Sequence, residues 1–200
     1  KPFKNDIIFL FSDGEEIGLT GAKAYVEKHP WAKKTGVVLN LEGGGSTGPV
    51  MMFETSTDNN WIISEFAKVV PYPVANSLFY EIYRNMPNDT DLTPFKKNGY
   101  KGFNFAYNEN RFDYHTGGDN FRNTSVESIQ HHGSYVVPLT AHFANIDLHN
   151  TETGNAVFFN TIGKGFVHYA YKWILPLSVL TCLVLLGLLY IGFRRKLLRP

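Results

Sequence analysis

Two adjacent carboxylates, Glu15-Glu16, a third at Glu42, and the triplet Asp113-Tyr114-His115 are the residues of this chain best suited to chemistry. No Lys or Arg lies beside Glu15-Glu16 or Glu42 in sequence. Carboxylates gathered without a basic neighbour repel one another unless a cation or shared protons intervene. A divalent ion supplies that charge, and carboxylate with imidazole suits zinc, with manganese or cobalt as alternatives. The adjacency of Glu15 and Glu16 also has a use. Neighbouring side chains in a non-helical turn diverge, so one can bind metal while the other accepts a proton from an attacking water. Taken singly, each residue has an ordinary reading. A Glu-Glu pair before a helix is commonly a solvated first turn favoured by the helix dipole. Glu42 alone is a loop carboxylate, and His115 alone a surface histidine.

Their position relative to the elements favours the joint reading. Ile7–Phe11 (IIFLF) is a continuous apolar run of β-formers and predicts a strand buried on both faces. Leu19–Lys28 has helical spacing and stops at His29-Pro30, and Val37–Leu41 (VVLNL) predicts the next buried strand. Strand, helix and strand in succession make a βαβ unit with parallel strands. Both strands then end on one sheet edge, where open α/β sheets place their sites. Glu15, Glu16 and Glu42 all follow those ends. Phe103–Tyr107 predicts a further strand, and if it is parallel to the others His115 joins the same edge. Val50–Glu54 reads as a strand, Trp61–Val69 and Leu92–Lys97 as helices. Asn123-Thr124-Ser125 caps a long helix from Val126 to about Ile146, with Val137-Pro138 as a potential kink. The expected architecture is α/β, a mainly parallel mixed sheet flanked by helices.

The 200 residues hold 19 Lys and Arg against 18 Asp and Glu, a net charge of +1, which lacks the basic footprint of a nucleic-acid binder. A single cysteine, Cys182, excludes an intrachain disulfide and a cysteine-based zinc site. Four of the basic residues, Arg194, Arg195, Lys196 and Arg199, fall in the last seven positions. They follow an uncharged stretch of 21 residues, 173–193, long enough to cross a bilayer. Cores seldom take a helix apolar on every face, so a membrane span is expected, with Cys182 inert inside it. Lys164 and Lys172 precede the stretch. The heavier basic flank places the C-terminal end in the cytoplasm and the rest on the other side. The opening KPFKND shows no signal-peptide pattern, and the sequence reads as a piece of a longer protein.

Four segments in order, SDGEEIGLTGAKAY, VVLNLEGGG, NDTDLTPF and FDYHTGGDN, carry a resemblance to the co-catalytic zinc metallopeptidases of the aminopeptidase Y type. Within that group HPWA and the apolar helix after the domain look closest to the endoplasmic-reticulum metallopeptidase and vacuolar membrane protease branch. The resemblance covers roughly residues 5–148 and implies a partial zinc exopeptidase fold with two zinc ions per complete site. It implies Glu15 as general base, Glu16 as the adjacent metal ligand, Glu42 as acidic ligand of the other metal, and His115 as the ligand sharing Glu16's metal. Asp89 and Asp119 would orient these groups, and Arg111, Phe112 and Tyr114 would wall the substrate pocket. In the family a bridging hydroxide attacks the scissile carbonyl and the base passes its proton to the leaving amine.

One feature departs from that pattern. The family also uses a histidine and a bridging aspartate N-terminal to the Glu-Glu pair. Here no histidine precedes Glu15, and Asp6 and Asp13 do not fit the motif. Two ligands at one metal and one at the other fall short of the usual three. The expectation is a membrane-anchored zinc-dependent exopeptidase, in all expectation an aminopeptidase acting on peptides, whose 200-residue piece alone is inactive. The rivals are a non-catalytic binding ectodomain of the same fold and a glutaminyl cyclase-like acyltransferase. The expected organisation is a metallopeptidase part at 1–148, a linker at 149–172, a transmembrane helix at 173–193 and a basic cytoplasmic flank at 194–200.

Overall fold

The computed structural model describes residues 2–149, 154–163 and 165–197. Lys164 and Arg199, used above to orient the apolar stretch, and 150–153 of the expected linker lie outside the described residues. Chain order is α1 (Thr20–Lys28), β1 (Val37–Gly43), β2 (Met51–Thr55), α2 (Asn60–Val69), α3 (Ser77–Tyr83) and α4 (Leu92–Lys97). Then follow β3 (Lys101–Tyr107), α5 (Val126–Phe143), β4 (Ala156–Asn160), β5 (Phe166–Ala170) and α6 (Ile174–Arg194).

The principal sheet has the order β1-β3-β2, with β1 parallel and β2 antiparallel to the central β3. It is the expected mixed sheet flanked by helices, although the parallel pairing does not predominate. Side chains alternate across a strand, so each face can be read from the register. Val37 and Leu39 of β1 join Phe103 and Phe105 of β3 in the larger core, with Ile62 and Phe66 of α2, Tyr135 and Leu139 of α5, and Phe158 of β4. Val38 faces the other way, onto a smaller core of Ala22, Tyr25, Leu92 and Phe95 from α1 and α4. Asn40 and Glu42 follow Val38 at period two, and Asn40 pairs in register with Asn104. The polar residues of β1 and β3 therefore share the α1/α4 face, between apolar cover and the C-terminal strand edge.

Two expectations need correction. Ile7–Phe11 does not form a strand: the segment is irregular and Phe9 and Phe11 are 80% and 94% exposed. Apolar β-formers make a strand only where a neighbour offers a ladder and apolar cover. Among the described residues β1 pairs with β3 alone. The segment is tied down only at its ends. Lys4 and Asn5 donate backbone bonds to the Ala144 carbonyl, the Asn5 side chain caps the end of α5 at Phe143 and Ile146, and the Asp13 carbonyl accepts from Gly21. The parallel relation that was expected between this run and β1 is instead that of β1 with β3.

Residues 149–172 were expected as a linker, but Ala156–Asn160 and Phe166–Ala170 form an antiparallel hairpin. Ala156 and Phe158 are buried in the larger core. Side chains supply bonds that a sheet edge would otherwise leave open: Asn59 Oδ1 accepts from the Ala156 amide and Ser77 Oγ from the Phe158 amide, each at 2.8 Å. Tyr171 donates back to the Asn155 carbonyl, one 3-10 turn follows at Tyr171–Trp173, and α6 begins at once. The helical region Tyr171–Arg194, mean hydropathy 2.5, is long and apolar enough to cross a membrane, and α6 takes in 174–193 of the expected 173–193. The long helix α5 contains Pro138 and is capped by Ser125, whose hydroxyl accepts from the Ser128 amide. The short helix α3, unforeseen, is capped by Asn76.

Candidate active site

Each acidic residue is delivered by a different device. Glu15 and Glu16 stand on a tight turn closed by Leu19 N–H to the Glu15 carbonyl at 2.9 Å and Thr20 N–H to the Gly14 carbonyl at 3.1 Å. Gly14 takes a left-handed φ of 71° there, at which a side chain would be strained. Glu42 is the penultimate residue of β1 and is followed by Gly43-Gly44-Gly45. That glycine run has a steric purpose, since a Cβ at Gly45 would collide with the Glu109 carbonyl. The loop after β1 can then fold onto the loop after β3, where Thr47 and Glu109 form a bridge. The second loop carries His115, held at φ 57°, which is uncommon outside glycine.

These devices bring together residues distant in sequence. His115 Nε2 lies 2.5 Å from Glu16 Oε1, across a separation of 99 positions. Burial raises the Glu42 pKa to about 7; the hydrogen bond from Asn40 opposes this, and the charges of Glu15, Asp91 and Glu16 add to the rise. Burial likewise raises Glu15, reinforced by Glu16 and Asp91 and opposed by His115. The mutual repulsion shows that Glu15, Glu16, Glu42 and Asp91 share one electrostatic neighbourhood. Tyr114 stacks on His115 with centroids 3.8 Å apart, and Arg111 lies over its ring at 5.9 Å. Burial and the three glutamates raise the Tyr114 pKa. Phe112 of the same loop is 91% exposed.

Asp89 and Asp119 sit further out. Asp89 is exposed and lines the groove between α1 and α4 with Lys23, Glu27 and Lys97. Asp119 is exposed on a turn whose backbone bonds to Thr116. Sequence reasoning passed over Asp91, two positions beyond Asp89. Asp91 precedes α4, accepts from the Ser12 hydroxyl through Oδ2, and its Oδ1 is buried without a hydrogen-bond partner. Its position before a helix that packs on the sheet was the available signal.

The donor types fit zinc, because the Glu16 carboxylate already meets an imidazole and Glu42 and Glu15 face it with like charge. The number is short. Among the described residues no three His, Cys, Asp or Glu side chains converge as a group able to hold one ion. The adjacent histidines of α5 do not share a ligand: His131 Nδ1 accepts from the Val50 amide, and His132 is buried against Tyr107.

The chain belongs to peptidase family M28, whose profile matches residues 1–140. It is similar to endoplasmic reticulum metallopeptidase 1 of mouse, 28% identical over all of the chain and 23% of that protein. It is similar as well to the vacuolar membrane protease of Candida albicans, 42% identical over 64% of the chain and 15% of the protease. The vacuolar membrane protease of Yarrowia lipolytica is 30% identical over 95% of the chain and 19% of its own length. The chain thus spans less than a quarter of the curated relatives it matches. No solved structure gives a significant match.

Proposed function

We propose that this chain is part of the catalytic domain of a membrane-anchored, zinc-dependent exopeptidase, an aminopeptidase that hydrolyses peptides. The observation that carries the reading is the meeting of Glu16 and His115 beside Glu15 and Glu42, at one edge of the sheet. Glu16 and His115 would hold one zinc and Glu42 the other. Bound zinc would polarise the scissile carbonyl and acidify water. The chain's own residues then handle the proton. Glu15, adjacent to Glu16 but outside its contact with His115, has a pKa raised by burial and by the neighbouring carboxylates, and suits a base that takes the proton and passes it to the leaving amine. Tyr114 and Arg111 form one wall for substrate, and exposed Phe112 offers an apolar contact at its rim.

The donor count makes the isolated chain inactive, because neither ion finds three ligands among the described residues. Metal analysis that found two tightly held zinc ions in the isolated chain would overturn this. The domain proper extends through the β4–β5 hairpin, and α6 anchors it with Arg194, Arg195 and Lys196 on the cytoplasmic side.

In the complete protein, Glu15→Gln lowers release of the N-terminal residue from a peptide by about a thousandfold or more, within the span seen for loss of a catalytic group, with zinc content unchanged. Unchanged turnover removes Glu15 from its role. An N-terminal glutamine peptide run alongside separates hydrolysis from cyclisation, and an inert but zinc-loaded parent would indicate a binding ectodomain.

A further inference from the structure

Glu42 is held by a chain of amides, one fully buried and one half-buried, that begins at the opposite edge strand, β2. Asn40 Nδ2 donates to Glu42 Oε1 at 2.7 Å and to Asn104 Oδ1 at 3.0 Å. Asn104 is fully buried on the central strand, and its own Nδ2 donates to Thr90 Oγ1 at 2.8 Å and to Glu54 Oε2 at 3.1 Å. Glu54, 2% exposed on β2, pairs through its other oxygen with Lys96 of α4. Thr90 Oγ1 also accepts from the Leu92 amide and so braces the two residues that flank Asp91.

The chain has a fixed sense. Lys96 can only donate, so Glu54 must accept; Glu54 then requires Asn104 to present its NH2 group, which leaves Asn104 Oδ1 facing Asn40. Asn40 in turn must present its NH2 group to both Asn104 and Glu42. Every amide orientation follows from one ammonium group, and the terminal hydrogen bond falls on the Glu42 oxygen Oε1. The other oxygen, Oε2, takes no part in this chain of bonds. β3 makes this possible because Asn40, Glu42 and Asn104 share one face in parallel register and Glu54 reaches that face from the neighbouring strand.

We propose that Asn40 and Asn104, oriented by the Glu54–Lys96 pair, are positioning residues that aim the Glu42 carboxylate at its metal. Asn40 acts directly on Glu42, and Asn104 acts only through Asn40. The inference rests on the metallopeptidase reading of Glu42 but adds residues outside its ligand set. Groups that orient a ligand typically change metal affinity by about 10–100-fold when removed.

The test is the zinc dissociation constant of the complete protein in detergent micelles, by competition with a chromophoric chelator, in variants whose near-ultraviolet circular dichroism matches the parent. Asn40→Ala weakens zinc by about tenfold, and Asn104→Leu, apolar and similar in volume, by about threefold. In the Asn40→Ala background Asn104→Leu adds nothing, because serial residues act through one contact. A purely structural role predicts instead lowered thermal midpoints with unchanged affinity. Lys68→Met, which breaks an ion pair with Glu65 on α2, leaves zinc affinity unchanged. If Asn40→Ala and Asn104→Leu both bind as the parent does while Glu42→Gln weakens zinc, the positioning role is wrong and the reading of Glu42 survives. If the two asparagine effects add, the serial order is wrong. If Glu42→Gln itself binds like the parent, the assignment of Glu42 as a ligand fails first.

Discussion

Glu42 stands on a strand above an amide chain that ends in an ion pair, whereas Glu16 stands on a surface turn and touches one histidine. Both carboxylates belong to one cluster, Glu16 paired directly with His115 and Glu42 bonded to Asn40 in front of the Glu54–Lys96 pair. The Glu54–Lys96 pair behind Glu42 is nearly closed to water, with side chains 3% and 25% exposed; the Glu16–His115 pair is 64% and 53% exposed. The buried half is fixed by the fold before any ligand arrives. The exposed half owes its geometry to two loops and gains rigidity chiefly from whatever it binds.

Cutting the two pairs gives the largest contrast. Lys96→Met leaves the Glu54 carboxylate buried without its cation and lowers unfolding free energy by about 3–5 kcal/mol. Glu16→Gln changes it by less than about 1 kcal/mol, since an exposed pair is weak. Urea unfolding of both variants checks this, and equal effects would mean that the two halves are equally loose. The same contrast runs between apolar segments. Phe158→Ala, in the core beneath the hairpin, costs about 3–4 kcal/mol, whereas Phe11→Ala lies within about 0.5 kcal/mol of the parent. A large loss at Phe11 would show that IIFLF is packed in the folded chain.

Those two phenylalanines also mark how far the sequence could be read. β1, β3, α2 and α5 were legible because their apolar periodicity is satisfied inside this chain by partners that also lie within it. Ile7–Phe11 has the same pattern as β1, but a strand is a relation between two segments, and periodicity says nothing about the neighbour. The hairpin was missed for the converse reason. Its segment NAVFFN reads as a polar-flanked tail, and its Ala156 and Phe158 amides are paired by the side chains of Asn59 and Ser77 from elsewhere. Glu42 and His115 do stand at or after the ends of strands, β1 and β3, whereas Glu15 and Glu16 were singled out by residue type and follow an irregular segment. Asp91 was not separable from Asp89 in NDTD, since only the three-dimensional path of that loop decides which carboxylate turns toward Ser12. The amide chain was hidden as well. Asn40 and Asn104 look like interruptions of apolar strands until parallel pairing sets them side by side.

Histidines repeat the contrast and give a further, smaller effect. His132 of α5 is 8% exposed against Tyr107, and its Nε2 has no hydrogen-bond partner. Burial lowers its pKa from 6.5 to about 4, His131 lowers it further, and a bond to the Phe105 carbonyl works the other way. Between those values the unfolded chain binds a proton that the folded chain refuses. Stability from this group is therefore complete above pH 6.5 and is lost as the pH falls toward 4, by on the order of 2 kcal/mol. His132→Phe keeps a ring against Tyr107 and removes the titration, so its unfolding free energy falls less steeply over the same interval. His115, by contrast, is half exposed beside Glu16. Parallel pH profiles for the parent and His132→Phe would show that water reaches α5 at this point and that the sheet side of the molecule is less closed than the Glu54–Lys96 pair implies.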